Sequence, residues 1–173
     1  MQWTDRIRQV KIILVVAAIL IAVGSLVVSN FLTHDLEQQE RSRMEVWAEA
    51  MRSLNNADEN TDLGLVLTVL NENNTIPIIV IDSHGKVTVF RNVDIQADNY
   101  ADSLARATQE GHRLLAAHRN IRITLDEHTH DYIDVCYDDS PVLKRLALYP
   151  YAQLGVVLLF VVVAIFALLT SKR

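Results

Sequence analysis

The sequence predicts an α+β domain held between two transmembrane helices. Two apolar runs lie near the ends of the 173-residue chain. Each run has the roughly 20 residues that a helix needs to cross a bilayer. Between them lie two pairs of short β-branched segments, each joined by a polar turn, which is typical of β-hairpins. Helix-forming stretches surround these hairpins, so the central part combines helices with an antiparallel sheet.

The two apolar runs predict the membrane topology. The first covers residues 12–32 and follows three basic residues, and the second covers residues 148–170 and is followed by two. Basic residues beside a span tend to stay in the cytoplasm. We therefore expect a cytoplasmic tail (1–11), an outer domain (33–147), a cytoplasmic segment beginning at 171–173, and membrane lipid around both spans.

The charge is unevenly distributed along the chain. Residues 33–147 carry 20 acidic and 11 basic side chains, a net charge of −9, whereas the remainder carries one acidic and five basic side chains, a net charge of +4. An acidic outer domain repels phosphates, which argues against nucleic acid as a partner. A soluble outer surface is sufficient reason for the acidic surplus.

A cleaved signal peptide is the alternative interpretation of the first run, because a basic start and an apolar core are also the secretory pattern. The apolar core is too long for that, and residues 29–33 (SNFLT) are not a small-residue cleavage site. We therefore expect an uncleaved anchor, whereas a secreted enzyme would require cleavage. Cys136 is the single cysteine, so the domain must be stabilised by its core rather than by an internal disulfide.

The outer domain begins with a long predicted helix. Residues 33–54 contain no Gly or Pro and are rich in strong helix formers. Their apolar residues, including Trp47 and Met51, follow a helical spacing that Glu40 interrupts. Since no breaker separates this stretch from the first span, one continuous helix is expected. A second, short helix is predicted over residues 63–70.

Asp62 is expected to cap that short helix. The first hairpin pairs residues 76–82 with residues 86–90 around a turn in which Gly85 takes positive φ. An amphipathic helix is predicted over residues 99–119, and its apolar residues share one face.

Gly111 is expected to weaken the middle of that helix, and His118 is expected on its buried face. Residues 121–125 and 132–137 form the second predicted hairpin, and a short amphipathic helix over residues 141–148 leads to the second span.

The order of these elements, together with two stretches of sequence, resembles the input half of a bacterial membrane sensor histidine kinase. The first stretch is the turn Asp82-Ser83-His84-Gly85 with the following Phe90-Arg91-Asn92. The second stretch consists of residues 137–146 (YDDSPVLKRL) and residues 149–155 (YPYAQLG). The second stretch is more specific than the first. The resemblance covers nearly the whole chain. It implies a PAS-like (Cache-type) outer domain, a bacterial inner-membrane location with that domain in the periplasm, and a homodimer.

The resemblance implies the sensor module of a two-component histidine kinase without its kinase core. The given sequence stops at Arg173 and has no Gly-rich nucleotide motif, so we assign no catalytic residue and no cofactor. The resemblance implies protein-histidine kinase activity only together with a kinase core, which is not in this sequence. A response regulator would be a partner only through that core. The alternative is a two-span adaptor or assembly protein that binds a periplasmic partner without signalling output.

Two groups of side chains are candidate binding residues. Arg91 and Asn92 close the first hairpin, where a polar pair in a PAS-like sheet can face a ligand, and a guanidinium suits carboxylates or phosphates. An exposed strand end is the alternative. Asp126, His128 and His130 would share one face of a continued strand, and such side chains bind zinc, although polar residues also collect in solvated turns.

Five residues are candidates for relaying a signal. Trp47 and Met51 lie on the long helix, and Tyr149, Pro150 and Tyr151 lie where the chain enters the second span. Pro150 fixes its own φ and restricts the preceding residue, so we expect it to set the angle of that span. Binding of a small ligand or a periplasmic protein would shift the population of two arrangements, and these residues would carry the displacement.

Overall fold

The structure is a computed structural model that describes the backbone of residues 2–126 and 128–170, and the side chains of residues 6, 9–126 and 128–166. The described chain forms four helices and four strands, which confirms the α+β class. In chain order they are α1 (Gln2–Asn55), α2 (Gly64–Glu72), β1 (Ile78–Asp82), β2 (Val87–Arg91), α3 (Tyr100–Ala116), β3 (Asn120–Asp126), β4 (Asp131–Tyr137) and α4 (Pro141–Thr170). Contacts divide the chain into Glu37–Val142 and a second unit, Met1–Leu36 with Leu143–Arg173.

The unit Glu37–Val142 contains one antiparallel sheet with strand order β2-β1-β4-β3. Both predicted hairpins are present: β1 pairs with β2, and β3 pairs with β4. The pairing of β1 with β4 joins the hairpins, with Ile79 opposite Cys136. The two hairpins therefore form one sheet in which β1 and β4 are the central strands.

Helices cover both faces of this sheet. Ile78 and Val80 of β1 belong to a buried cluster with α1 and α2, whereas Ile79 and Ile81 belong to a second cluster with α3. Successive side chains of a strand point to opposite faces. The uninterrupted apolar sequence of β1 thus serves two cores, and the sheet lies between α1 with α2 on one side and α3 on the other.

The turn of the first hairpin forms as the sequence predicts. Gly85 has φ +80, and the Asp82 carboxylate accepts the backbone N–H groups of His84 and Lys86 at 2.9 and 2.8 Å. Helix α2 begins one residue later than predicted and runs from Gly64 to Glu72, so its N-cap position is Leu63, which makes no side-chain capping bond. The predicted cap, Asp62, lies one residue earlier and accepts the N–H of Gly64 at 2.9 Å.

Two local predictions were wrong. Strand β1 begins at Ile78 rather than at Ile76, because the Asn73 side chain bonds both the N–H and the C=O of Ile76 (3.1 and 2.9 Å) and holds it in a loop. His118 is exposed rather than on a buried face, because α3 ends at Ala116 and His118 takes a positive φ of 56.

Gly111, which was expected to weaken the middle of α3, permits close packing of that helix on the sheet. A Cβ at this position would lie 2.9 Å from Ile79 Cγ2 and 3.0 Å from Ile81 Cδ1, closer than side chains pack. The glycine therefore allows α3 to approach β1, and its helix-propensity cost of about 1 kcal/mol is offset by that contact.

The other unit contains the two helical segments that are long and apolar enough to cross a membrane, within Gln9–Asn55 and Pro141–Phe166. Only 6% and 0% of their most apolar windows is buried in the chain, so these side chains have no protein core around them. Inside this unit Ala22 is buried, and the Ser25 hydroxyl donates to Gln153 Oε1 at 3.1 Å. Residues 1 and 171–173, predicted to be cytoplasmic, lie outside the described residues.

The helices that contain these segments are longer than the spans themselves. The expected continuity of the first span with the domain helix is confirmed, because α1 is one helix from Gln2 to Asn55. The prediction of a separate short helix over residues 141–148 was wrong, because α4 is one helix that runs from Pro141 to Thr170 with Pro150 inside it. An interior proline usually kinks or ends a helix because it lacks an N–H, but α4 continues through Pro150.

Replacing Gly111 with alanine should lower the stability of the domain by about 1–3 kcal/mol, because the new methyl group overpacks the contact with β1. Gly155→Ala is the matched control, since no heavy atom lies within 4 Å of the position that its new methyl group would take. Urea unfolding of the whole chain in detergent, followed by tryptophan fluorescence in a Trp3→Phe background that leaves buried Trp47 as the reporter, measures both. Equal or greater stability of Gly111→Ala would contradict the packing role.

Candidate functional site

A buried carboxylate joins α1 to the residue that precedes α4. Glu40 Oε2 accepts the backbone N–H of Ser140 at 3.1 Å, and Glu40 Oε1 accepts the Ser140 hydroxyl. Glu40 is 7% exposed and Ser140 is 2% exposed. A buried carboxylate is costly unless hydrogen bonds satisfy it, so this contact, called the junction below, fixes two segments that lie 100 residues apart in sequence.

The junction explains the break in the apolar stripe of α1. Sequence periodicity presents Glu40 only as an interruption and does not distinguish Ser140, because neither residue shows its distant partner locally. Glu40 is the candidate site residue that the sequence did not reveal. The available signal is a single charged residue at an otherwise apolar helical position, which indicates a buried polar contact without identifying the partner.

A cleft of about 620 Å³ lies beside the same helix, between α1 and the α2–β1 connection. Its volume is within the usual range for small-ligand sites. Met44, Trp47 and Ile76 are buried side chains that line it. The remaining lining residues come from one face of α1 and from the end of α2 onward: Gln39, Ser42, Arg43, Val46, Val69, Glu72, Asn73 and Thr75.

One backbone carbonyl holds the wall of this cleft. Leu70 O accepts Trp47 Nε1–H at 3.2 Å and Arg91 Nη1–H at 2.9 Å. Trp47 is 3% exposed and Leu70 is 8% exposed, so these bonds are largely shielded from water. The predicted relay residue Trp47 and the predicted ligand residue Arg91 therefore meet on the last turns of α2.

Asn92 supports the same wall from the other side. Its Nδ2 donates to Asn73 O at 3.0 Å and to Ile76 O at 3.1 Å, and its backbone has φ 56, which asparagine tolerates better than most residues. Arg91 also reaches Asn71 Oδ1 at 3.4 Å. Both side chains thus shape the α2–β1 connection, and direct contact with a ligand stays a prediction.

The structure does not bring Asp126, His128 and His130 into one metal-ligating group, and no such group of three or more occurs among the described residues. The Asp126 carboxylate accepts the backbone N–H of His128 at 2.8 Å. That bond, followed by one from the Thr129 side chain, lowers the pKa of Asp126. This carboxylate therefore closes the β3–β4 turn.

The other proposed relay residues lie in different surroundings. Met51 is 8% exposed and packs in the core cluster on the α1 side of the sheet. Tyr149 and Tyr151 are 65% and 74% exposed, and Pro150 lies inside α4. Pro150 therefore does not mark the start of a helix, and its influence on the angle of the second span stays a prediction.

A second buried carboxylate lies on the α3 side of the sheet. Asp134 is 2% exposed and accepts from Arg122 Nε and Nη2 at 2.9 and 2.8 Å and from Asn120 Nδ2 at 2.8 Å. This hydrogen bonding raises the pKa of Arg122. Burial, with a smaller contribution from Asp134, raises the pKa of Cys136 to about 12, so the thiol stays neutral and packs rather than reacts.

Loss of one of the two hydrogen bonds to Leu70 O should lower stability less than half as much as the loss of both. We expect Trp47→Phe and Arg91→Met each to cost about 1 kcal/mol, and the double variant to cost about 1–2 kcal/mol more than their sum, because only then is the buried carbonyl unsatisfied. Urea unfolding monitored by circular dichroism measures all three variants. Strict additivity would show that the two donors do not share this carbonyl.

Comparison with known proteins adds no relative. No protein-family model matches the chain, and neither the curated proteins nor the solved structures gave a significant match. The resemblance to sensor histidine kinases therefore stays an expectation based on the quoted stretches. A function for this chain has to be argued from the junction, the cleft and the two apolar helical segments.

Proposed function

We propose that the chain is the membrane-anchored sensor module of a two-component histidine kinase, with a PAS-like outer domain in the periplasm. The observation that carries the proposal is the junction between Glu40 and Ser140. It links α1 and the start of α4, the two helices that contain the candidate membrane spans.

The proposed mechanism is a shift between two arrangements of the outer domain. Met44 and Trp47 of α1 line the cleft, and Glu40 lies one turn before Met44 on the same helix. A ligand that changes the separation of α1 from the α2–β1 connection would also change the geometry at Glu40. Binding shifts such an equilibrium only by its differential affinity for the two arrangements.

The output of this mechanism lies in a kinase core that would follow the second span. Displacement of α4 would alter autophosphorylation there, and a response regulator would receive the phosphoryl group. Two copies acting as a homodimer are part of the proposal, as is a bacterial inner-membrane location. The basic residues that flank the two apolar runs at the chain ends, three before residue 12 and two after residue 170, support a periplasmic domain with cytoplasmic ends.

The topology is tested by labelling single introduced cysteines with a membrane-impermeant maleimide in bacterial cells whose outer membrane is permeabilised. Asn74→Cys in the exposed α2–β1 loop should react in intact spheroplasts, whereas Gln9→Cys should react only after lysis. The unsubstituted chain is the control, since Cys136 is buried. Reaction of Gln9→Cys before lysis, or protection of Asn74→Cys, would reverse the proposed orientation.

The relay is tested by joining a histidine kinase core in frame after Arg173 and measuring autophosphorylation in membrane vesicles. Glu40→Gln and Ser140→Ala should change the rate about two- to thirtyfold and in the same direction, because both weaken one contact. The double variant should match the single ones rather than add to them.

Glu45→Gln is the matched control on the same helix, because Glu45 is exposed and pairs with Arg41 at 3.3 Å. Its autophosphorylation should equal that of the parent. Unchanged rates in both junction variants, with the domain still folded by circular dichroism, would reject the relay and favour the two-span adaptor.

A further inference from the structure

The cleft presents one positive and one negative side chain that nothing in the described part of the chain neutralises. Arg43 and Glu72 both line it, and both are exposed. Among the described contacts neither takes part in an ion pair or a side-chain hydrogen bond, in contrast to the neighbouring Arg41, which pairs with Glu45. Arg43 comes from α1 and Glu72 from the last residue of α2, so the two charges belong to different walls.

The surface between these walls is mainly apolar. Met44, Trp47 and Ile76 form its buried part, and Val46 is 56% exposed. The indole N–H of Trp47 is already engaged by Leu70 O, so Trp47 offers the cleft apolar surface alone. The amide of Asn73 is likewise engaged by Ile76. An occupant would therefore meet two charges, an apolar floor and the uncharged polar side chains of Gln39, Ser42 and Thr75.

We propose that the cleft binds a zwitterionic molecule of the α-amino-acid type that carries an apolar side chain. Its carboxylate would pair with the Arg43 guanidinium, whose fork matches a carboxylate, and its ammonium group would pair with the Glu72 carboxylate. Its side chain would lie on the apolar floor. A purely anionic ligand would be opposed by Glu72, a purely cationic one by Arg43, and an uncharged one would leave both charges unpaired.

The inference rests on the proposed sensor function for its biological meaning, but binding is measurable without any signal. The probe is L-phenylalanine, and two matched analogues each lack one charged group. Phenethylamine lacks the carboxylate, and 3-phenylpropionate lacks the ammonium group. Isothermal titration of the whole chain in detergent should show saturable binding of phenylalanine, and each analogue should bind at least about tenfold more weakly, as expected from the loss of one charge-assisted contact.

Variants assign each charge to its partner. Arg43→Gln should lower the affinity for phenylalanine about tenfold or more, to the affinity for phenethylamine, which lacks the carboxylate. Glu72→Gln should lower the affinity for phenylalanine to that for 3-phenylpropionate, which lacks the ammonium group. Arg41→Gln and Glu45→Gln are the matched controls outside the cleft and should bind like the parent. Circular dichroism verifies that each variant is folded.

Any of three results would overturn the proposal. The first is no saturable binding of phenylalanine up to about 10 mM, a concentration near which affinity becomes negligible. The others are equal affinity for phenylalanine and both analogues, and unchanged selectivity in Arg43→Gln and Glu72→Gln. The sensor function fails separately. If phenylalanine binds but does not change the activity of the attached kinase core, the sensor function is rejected and the binding site is retained. If the junction variants change the kinase activity but phenylalanine does not bind, the binding site is rejected and the sensor function is retained.

Discussion

The burial of β1 on both faces is the constraint on which the domain depends. Ile78 and Val80 are 0% and 1% exposed beneath α1 and α2, and Ile79 and Ile81 are each 1% exposed beneath α3. A strand with no polar face has to be covered twice, so neither helical layer is optional. Gly111 follows from the same constraint, because α3 can cover β1 closely only where it has no side chain.

Close packing around β1 leaves buried polar groups, and each of these is satisfied by a residue from another part of the chain. Leu70 O accepts from Trp47 and Arg91, Glu40 accepts from Ser140, and Asp134 accepts from Arg122. Among the described residues no buried side-chain polar atom lacks a partner. Because such groups cost about 1–3 kcal/mol when left unpaired, they add to the apolar contacts in fixing which segments lie together.

This division explains what the sequence could predict. Alternation and helical spacing are local, so both hairpins, the three domain helices and the continuity of α1 were predictable within a few residues. Glu40 and Ser140 lie 100 residues apart, and no periodicity reveals such a partner. Gly111 was misjudged for the same reason, since its helix cost is local but its contact with Ile79 and Ile81 is not. Arg91 and Asn92 were recognised as unusual, while their partners on the α2–β1 connection were not.

The size of the junction limits what it can do in a sensor. Hydrogen bonds to a charged group contribute about 1.5–3 kcal/mol each, so the two bonds between Glu40 and Ser140 contribute about 3–6 kcal/mol together. Moving an equilibrium from 1:99 to 99:1 takes about 5.5 kcal/mol, so breaking this contact alone would switch two arrangements completely only at the upper end of that range. The remainder would have to come from differential ligand contacts along α1, and the cleft lined by Met44 and Trp47 lies within one to two turns of Glu40 on that helix. A sensor of this design gains from having both features on the same helix, because the cleft is linked to α4 only through the contact between Glu40 and Ser140.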